Sequence, residues 1–205
     1  MFKTEGQDVK QGGVGKSLEP GVKFAHIYDA TVKTAKSGKK ALELILEGPK
    51  LENFEGWAIS KENPDGPKFT GQSSRVMASI YTDQYNSDDV NKNEILNKII
   101  VIANETGKRK EIDALAKDGS ITSIEQWVER AVDVLKNQDA YFFLAAKEEE
   151  YNGKTITKLS LPKFKFCAAD AAKLPTFDRN NKYHFSPLEV KAVNGFEPAN
   201  DDFDM

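Results

Sequence analysis

Positive charge stands beside an aromatic ring at several places in this chain. Lys23-Phe24, Lys68-Phe69 and Lys163-Phe164-Lys165-Phe166 carry the pairing directly, and Arg75 lies close to Tyr81. Lys33, Lys36, Lys39 and Lys40 add a run of cations in and beside a single turn. Nucleobases stack on aromatic faces for about 1–3 kcal/mol each, while cations track the phosphates. Every base has a π-face, so such a surface needs no sequence readout. The combination suits single-stranded nucleic acid.

Other chemistry finds little among the residue types. His26, Asp29 and Asp170 have no spacing that suggests general acid–base catalysis. His184, between Tyr183 and Phe185, has the setting of a packed or exposed histidine. Cys167 ends an apolar stretch and reads as a small core residue. Two histidines and one cysteine do not suggest a zinc site, and a lone cysteine cannot form an intramolecular disulfide. Gln11-Gly12-Gly13-Val14-Gly15-Lys16-Ser17 looks like a phosphate-binding loop. That loop needs a preceding strand and a following helix. Here no apolar strand precedes it, Pro20-Gly21 stops any helix, and Lys10 stands where the first glycine belongs. No cofactor, metal or enzymatic activity is expected.

The charge count hides a division. The whole chain has 29 basic and 32 acidic side chains, a net of -3. Glu197, Asp201, Asp202 and Asp204 fall in the last nine residues, so the remainder holds 29 against 28, a net of +1. An acidic end bearing Phe203 on a neutral-to-basic body suits a tail that competes with an anionic ligand or docks on basic partners. The plain alternative is a frayed, solubilising terminus. The apolar runs, such as Ile99-Ile100-Val101-Ile102-Ala103, are too short to span a bilayer. Residues 1–5 show no apolar signal core, and a cytoplasmic protein is expected.

The elements that must position these residues follow from periodicity. Val22 to Thr34 alternates, with Phe24, His26, Tyr28, Ala30 and Val32 on one side. A turn at 35–39 leads to Lys40–Glu47, where Leu42, Leu44 and Leu46 alternate strictly. Short strands are expected at 55–60, near Trp57, and at 73–81. Asp88-Asp89 are positioned to cap a helix over about 90–105, with Ile95, Ile99 and Ile102 on one face. A short helix at 110–117 and a third ending near 136–137 complete the block. Strands return at 140–147 and 155–161, with 148–154 as the loop around Asn152-Gly153, then at 163–167. A short helix at 168–174 is expected in an otherwise irregular end.

This order predicts an α+β, mainly β chain: an OB-type five-stranded antiparallel barrel with helices between strands three and four. A mostly antiparallel sheet packed on helices is the other architecture that fits. The expected divisions are a flexible arm at 1–19, one OB-like domain at 20–196 with a helical insertion at about 88–137, and a disordered acidic tail at 197–205.

Gly21-Val22-Lys23-Phe24-Ala25-His26-Ile27-Tyr28, followed by Lys36-Ser37-Gly38-Lys39-Lys40-Ala41-Leu42-Glu43-Leu44, resembles the opening hairpin of phage-type single-stranded DNA-binding proteins. The Asn152-Gly153-Lys154 hairpin, ending in Phe164-Lys165-Phe166, is similar to their closing strands. The acidic end with Phe203 looks like the tails of this class. The resemblance covers roughly residues 20–167 and the tail. It departs from the family where Asp204 and Met205 follow the aromatic residue that usually finishes such tails. The long linker of bacterial members has no counterpart, which points to a phage version.

The resemblance implies a protein that coats and protects single-stranded DNA in phage replication or recombination, in the host cytoplasm. Lys33, Lys36, Lys39, Lys40, Arg75, Lys163 and Lys165 would neutralise phosphates. A subset of Phe24, Tyr28, Trp57, Phe69, Tyr81, Phe164 and Phe166 would stack bases. Asp201, Asp202, Phe203 and Asp204 would compete with DNA and recruit replication or recombination proteins. Glu148, Glu149 and Glu150 have the wrong charge for a phosphate groove. A β-barrel adaptor that binds no nucleic acid stays open as the alternative, as does assembly into a homo-oligomer.

Overall fold

The computed structural model describes residues 17–48, 73–79, 81–163 and 166–188. The expected strand at 55–60 with Trp57 lies outside the described residues, as do Phe69, Phe164, Lys165, the glycine-rich stretch 11–16 and the tail residues Asp201, Asp202, Phe203 and Asp204.

The chain is α+β and mainly sheet. The strands are β1 Gly21–Thr34, β2 Lys40–Glu47, β3 Ser73–Met77, β4 Asp139–Tyr151, β5 Lys154–Ser160, β6 Cys167–Ala168 and β7 Phe185–Ser186. Between β3 and β4 run α1 Glu94–Glu105, α2 Arg109–Leu115 and α3 Ile124–Leu135. Hydrogen-bonded neighbours follow β1-β2-β3-β5-β4, and β4 pairs back onto β1, so five strands form a ring. The expected all-antiparallel arrangement fails at one seam, where β3 and β5 run parallel through Val76–Leu159 and Met77–Ser160. The reason is parity. Strand directions cannot alternate around an odd-numbered ring, so at least one neighbouring pair must be parallel.

The ring encloses the core. Ala25 and Ile27 of β1, Leu42, Leu44 and Leu46 of β2, Val76 of β3, Phe142 and Leu144 of β4 and Leu159 of β5 are all buried. The β1–β2 register slips between Ile27 and Asp29, which leaves Tyr28 as an extra residue. One inserted residue reverses which side chains face inward. Ala30 and Val32 therefore join Ala25 and Ile27 on the core side, not Phe24 and His26 as simple alternation suggests. Two-residue spacing cannot reveal a bulge in advance.

α3 lies against β1, and α1 against β2 and β6. The α1 cap is Asn93, not Asp88 or Asp89. Its Oδ1 accepts the Leu96 N–H at 3.2 Å, and its Nδ2 donates to the carbonyls of Ser87, at 2.9 Å, and Tyr85. With both ends of a buried amide satisfied, the helix starts at Glu94, several residues later than expected. Ser123 caps α3 by accepting the Gln126 N–H at 3.2 Å.

Past β5, residues 164 and 165 of the expected return strand lie outside the described residues, and its end at Cys167 does not extend β5. Cys167–Ala168 instead pairs with Tyr141 and Phe142 of β4, and the segment then folds over the outside of the ring. In the expected helix at 168–174 only a single 3-10 turn forms, Ala171–Lys173. Burial pushes the Cys167 thiol up to about 12, leaving it a poor nucleophile.

α1 buries a lysine beside this segment. Lys98 is 2% exposed. Its Nζ lies 3.7 Å from the centre of the Phe166 ring and donates to the Pro162 carbonyl at 3.4 Å. Burial, opposed by the nearby Glu94 carboxylate, pushes the ammonium down to about 8 from 10.5. A lysine that holds its proton less tightly when folded adds stability as pH rises between those two values. Lys98→Met removes the buried charge. In denaturant titrations the variant should exceed wild type most near pH ~7, and the gap should narrow by pH ~10. A gap independent of pH would show that the Lys98 charge carries no folding cost.

Candidate nucleic-acid interface

Residues two apart on a strand share a face, and so do partners in register. Val76 and Leu159 point inward, so their neighbours Met77 and Ser160 point outward. The same parity carries across the ring. Glu43 pairs with Met77 and Ile45 with Arg75. Thr31 pairs with Glu43, and Lys33 lies two residues on. In the closing hairpin Lys147 pairs with Lys158, Glu149 with Ile156 and Tyr151 with Lys154. One outer face therefore carries Lys33, Arg75, Lys147, Lys154 and Lys158 around Ile45, Met77 and Ile156.

Each half of this face has a carboxylate between two cations. Glu43, its side chain 14% exposed, lies 3.6 Å from Lys33 Nζ and 3.4 Å from Arg75. Glu149 accepts from Lys158 and lies 3.2 Å from Lys147. Those two hydrogen bonds, Lys158 first, hold the Glu149 carboxyl below the usual carboxylate range. Each cluster keeps a net charge of +1. The Glu149 pairs stand open to solvent and are weak, so an arriving anion exchanges partners there at little cost, whereas Glu43 is more enclosed.

The acidic run thus has a different place from the one expected. β4 reaches Tyr151 and β5 starts at Lys154, so Glu148, Glu149 and Glu150 are strand residues, not loop. Asn152 and Gly153 alone make the turn, both with positive φ (51° and 70°), the geometry of a type I′ hairpin. Beyond Lys147 and Lys158 this hairpin has no third strand beside it among the described residues. It projects from the ring as a two-stranded arm, with Tyr151 64% exposed near its tip.

The residues expected from sequence divide. Lys33 and Arg75 meet at Glu43, Arg75 being 69% exposed. Lys36 and Lys39 are exposed in the β1–β2 turn, where Lys39 pairs with Asp83 at 3.4 Å. Asp83 is held below the usual range by its own backbone N–H first and then by Lys39. Lys40 is turned away: its backbone bridges Thr82, and its Nζ sits 4.9 Å from the Tyr85 ring centre. Tyr81 is 43% exposed beside that bridge. Lys163 is exposed, and its charge disfavours that of Lys98, which places it near α1.

Phe24 is 39% exposed and packs on Tyr141, ring centres 4.8 Å apart. It lies nine residues from Lys33 along β1, roughly 25–30 Å at strand rise, so the two are not one cluster. Tyr28 is half-buried at the bulge. Phe166 is withdrawn from the stacking set, because it is 4% exposed with Lys98 over its ring.

Sequence reasoning missed Lys147, Tyr151, Lys154 and Lys158. The signal was present in Asn152-Gly153. A two-residue turn fixes 151 opposite 154 and every second pair behind it. Reading the loop as 148–154 hid that register.

Glu43→Gln removes one negative charge while keeping the side-chain shape. The variant should elute from immobilised heparin at higher salt than wild type, whereas Asp113→Asn, the same charge change on α2 away from this face, should shift elution less. Equal elution of all three proteins would show that Glu43 does not tune the field of this face. No protein-family model matches the chain, and no curated protein matches its sequence.

Proposed function

We propose that this chain is a single-stranded DNA-binding protein with an OB-type fold, acting in phage DNA replication or recombination without enzymatic chemistry or a cofactor. The observation that carries the reading is the outer face of β1, β2 and β3, continued onto the β4–β5 arm. It sets five cations around apolar side chains. In OB-folds the corresponding face and the loops after the first and fourth strands bind oligonucleotides. The ring order, with helices between β3 and β4, is compatible with that fold.

In this reading Lys33, Arg75, Lys147, Lys154 and Lys158 neutralise phosphates, with Lys36 and Lys39 at the first turn. Tyr151 supplies a stacking face, and Ile45, Met77 and Ile156 form an apolar floor. Residues 197–205 compete for the cations when DNA is absent and recruit partner proteins once displaced.

The test is fluorescence anisotropy of labelled oligo-dT and a mixed-sequence strand over a range of salt. Log affinity should fall with log salt by about 0.7 per phosphate contacted. Arg75→Ala should flatten that slope by about one contact. Tyr151→Ala should weaken binding about tenfold, as expected for one lost base stack. Deleting residues 197–205 should raise affinity. Absence of binding to both strands at low salt would sink the reading.

The adaptor reading has one observation of its own. A groove of about 550 Å³ opens between the helices, lined by Leu96, Ile100, Ile112, Leu115, Ile124 and Trp127. An adaptor would bind neither strand and would be indifferent to the tail deletion.

A further inference from the structure

The segment that folds over the outside of the ring holds a second cation–aromatic cluster, unconnected in sequence to the first. Arg179, Lys182 and Tyr183 project from one loop. Tyr183 is 70% exposed, the highest of the exposed large hydrophobic side chains among the described residues. Lys182 Nζ lies 5.2 Å from its ring centre. The Arg179 guanidinium lies 4.4 Å over the ring of buried Phe185.

The backbone carrying these side chains is fastened at nearly every residue. Asp178 Oδ1 accepts the Asn180 N–H at 2.9 Å, so the loop's own carboxylate is turned onto the loop. Asn181 Oδ1 accepts the Tyr183 N–H at 2.9 Å. The Asn181 carbonyl accepts from His184 and Phe185 at 2.8 and 2.9 Å. His184 Nδ1 accepts the Asp178 N–H at 3.0 Å and so closes the loop. The His184 ring is itself held between Phe143 and Phe177, at 4.9 and 5.9 Å. Its carbonyl accepts from Ala146 of β4 at 2.9 Å.

The loop is also continuous with the first face. Phe185 and Ser186 form β7, which pairs with Ala146 and Lys147 of β4. Lys147 is one of the two cations held by Glu149. Ser186 shares the outward face of Lys147, so a strand leaving the arm past Lys147 would meet Ser186 and then the Lys182–Tyr183 end of the loop, whereas Phe185 and the Arg179 over it lie on the opposite face with Glu148 and Thr157.

We propose that the loop Asp178–Phe185 is a second contact for single-stranded nucleic acid, extending the path of the ligand from the β4–β5 arm across β7. Tyr183 offers the stacking face and Lys182 takes the flanking phosphate, while Arg179 stays over Phe185 in the pocket it lines with Glu19 and Glu148. The proposal rests on the reading of the outer face as a nucleic-acid site. A stacking ring on a backbone already fixed loses little freedom on binding, which favours a retained contact over an incidental one.

The experiment compares labelled oligo-dT of about 6 and about 16 nucleotides, both within the range of roughly 4–16 that one such domain covers. The double substitution Lys182→Ala with Tyr183→Ala should weaken the longer strand about tenfold or more and leave the shorter within about twofold. Tyr183→Phe should keep wild-type affinity for both. Arg75→Ala should weaken both strands. Far-UV circular dichroism and an unchanged Tm establish that the variants fold. Unaltered affinity of the double variant for the longer strand overturns this proposal alone. Equal loss on both lengths also overturns it, since the loop would then not be an extension. Failure of the wild-type protein to bind either strand removes the outer-face reading and this one with it.

Discussion

Closing five strands on themselves is the constraint from which the remainder of the architecture follows. An odd ring must contain a parallel pair, and here that pair is β3 with β5. Strands in parallel register cannot be joined by a tight turn, so the chain must cross from one end of the ring to the other. β4 makes that crossing, and the helices join β3 to β4 at one end of the ring, with α1 packing on β2 and α3 on β1. β4 then enters antiparallel to β1, and β5 returns beside it. The β4 strand is consequently the shared edge of everything that closes the fold. It pairs with β1, β5, β6 and β7, and both Phe142 inside and Phe143 outside are buried.

This double burial divides the outer surface of the ring. Around Phe143 the segment 166–188 supplies Phe177 and His184 as cover. Around Glu43 and Glu149 nothing described lies over the sheet, and charged side chains occupy the same outward positions. Alternation along a strand specifies only that a side chain faces outward. Whether outward means solvent or a second layer depends on where a remote part of the chain returns. The arrangement of charge is local by comparison. Two carboxylates, each shared by two cations, keep the face positive without leaving the cations unpaired against one another.

Much of the fold was legible where neighbours in sequence are neighbours in space. The alternating leucines marked β2 from Lys40 to Glu47, and apolar spacing with Ser123 marked α3. Asn152-Gly153 marked the closing hairpin. What escaped was decided by distant partners. The Tyr28 bulge exists because β1 must serve β4 at one end and β2 at the other. Phe166 reads as one more ring in a basic run, yet α1 places Lys98 upon it. Of the candidate site, Lys33 and Arg75 were found by residue type. Lys147 and Lys158 needed the register, and Tyr183 needed the return of β7 to β4.

The projecting arm has a consequence for how the molecule yields. Two strands without a third beside them are marginal in water, and the least supported parts of a fold open first. Among the described residues, the pairs from Glu149–Ile156 to Tyr151–Lys154 form such a ribbon, beyond the last pairing of β4 with β7 and of β5 with β3. On that argument their amides should exchange with solvent through local fraying, while those of β2, between β1 and β3, should need global unfolding. Tyr151 and the Glu149 cluster therefore stand on the softest part of the sheet, and Glu43 on one of the firmest. A ligand spanning both would meet a fixed anchor at one end and, at the other, an arm that it must hold still.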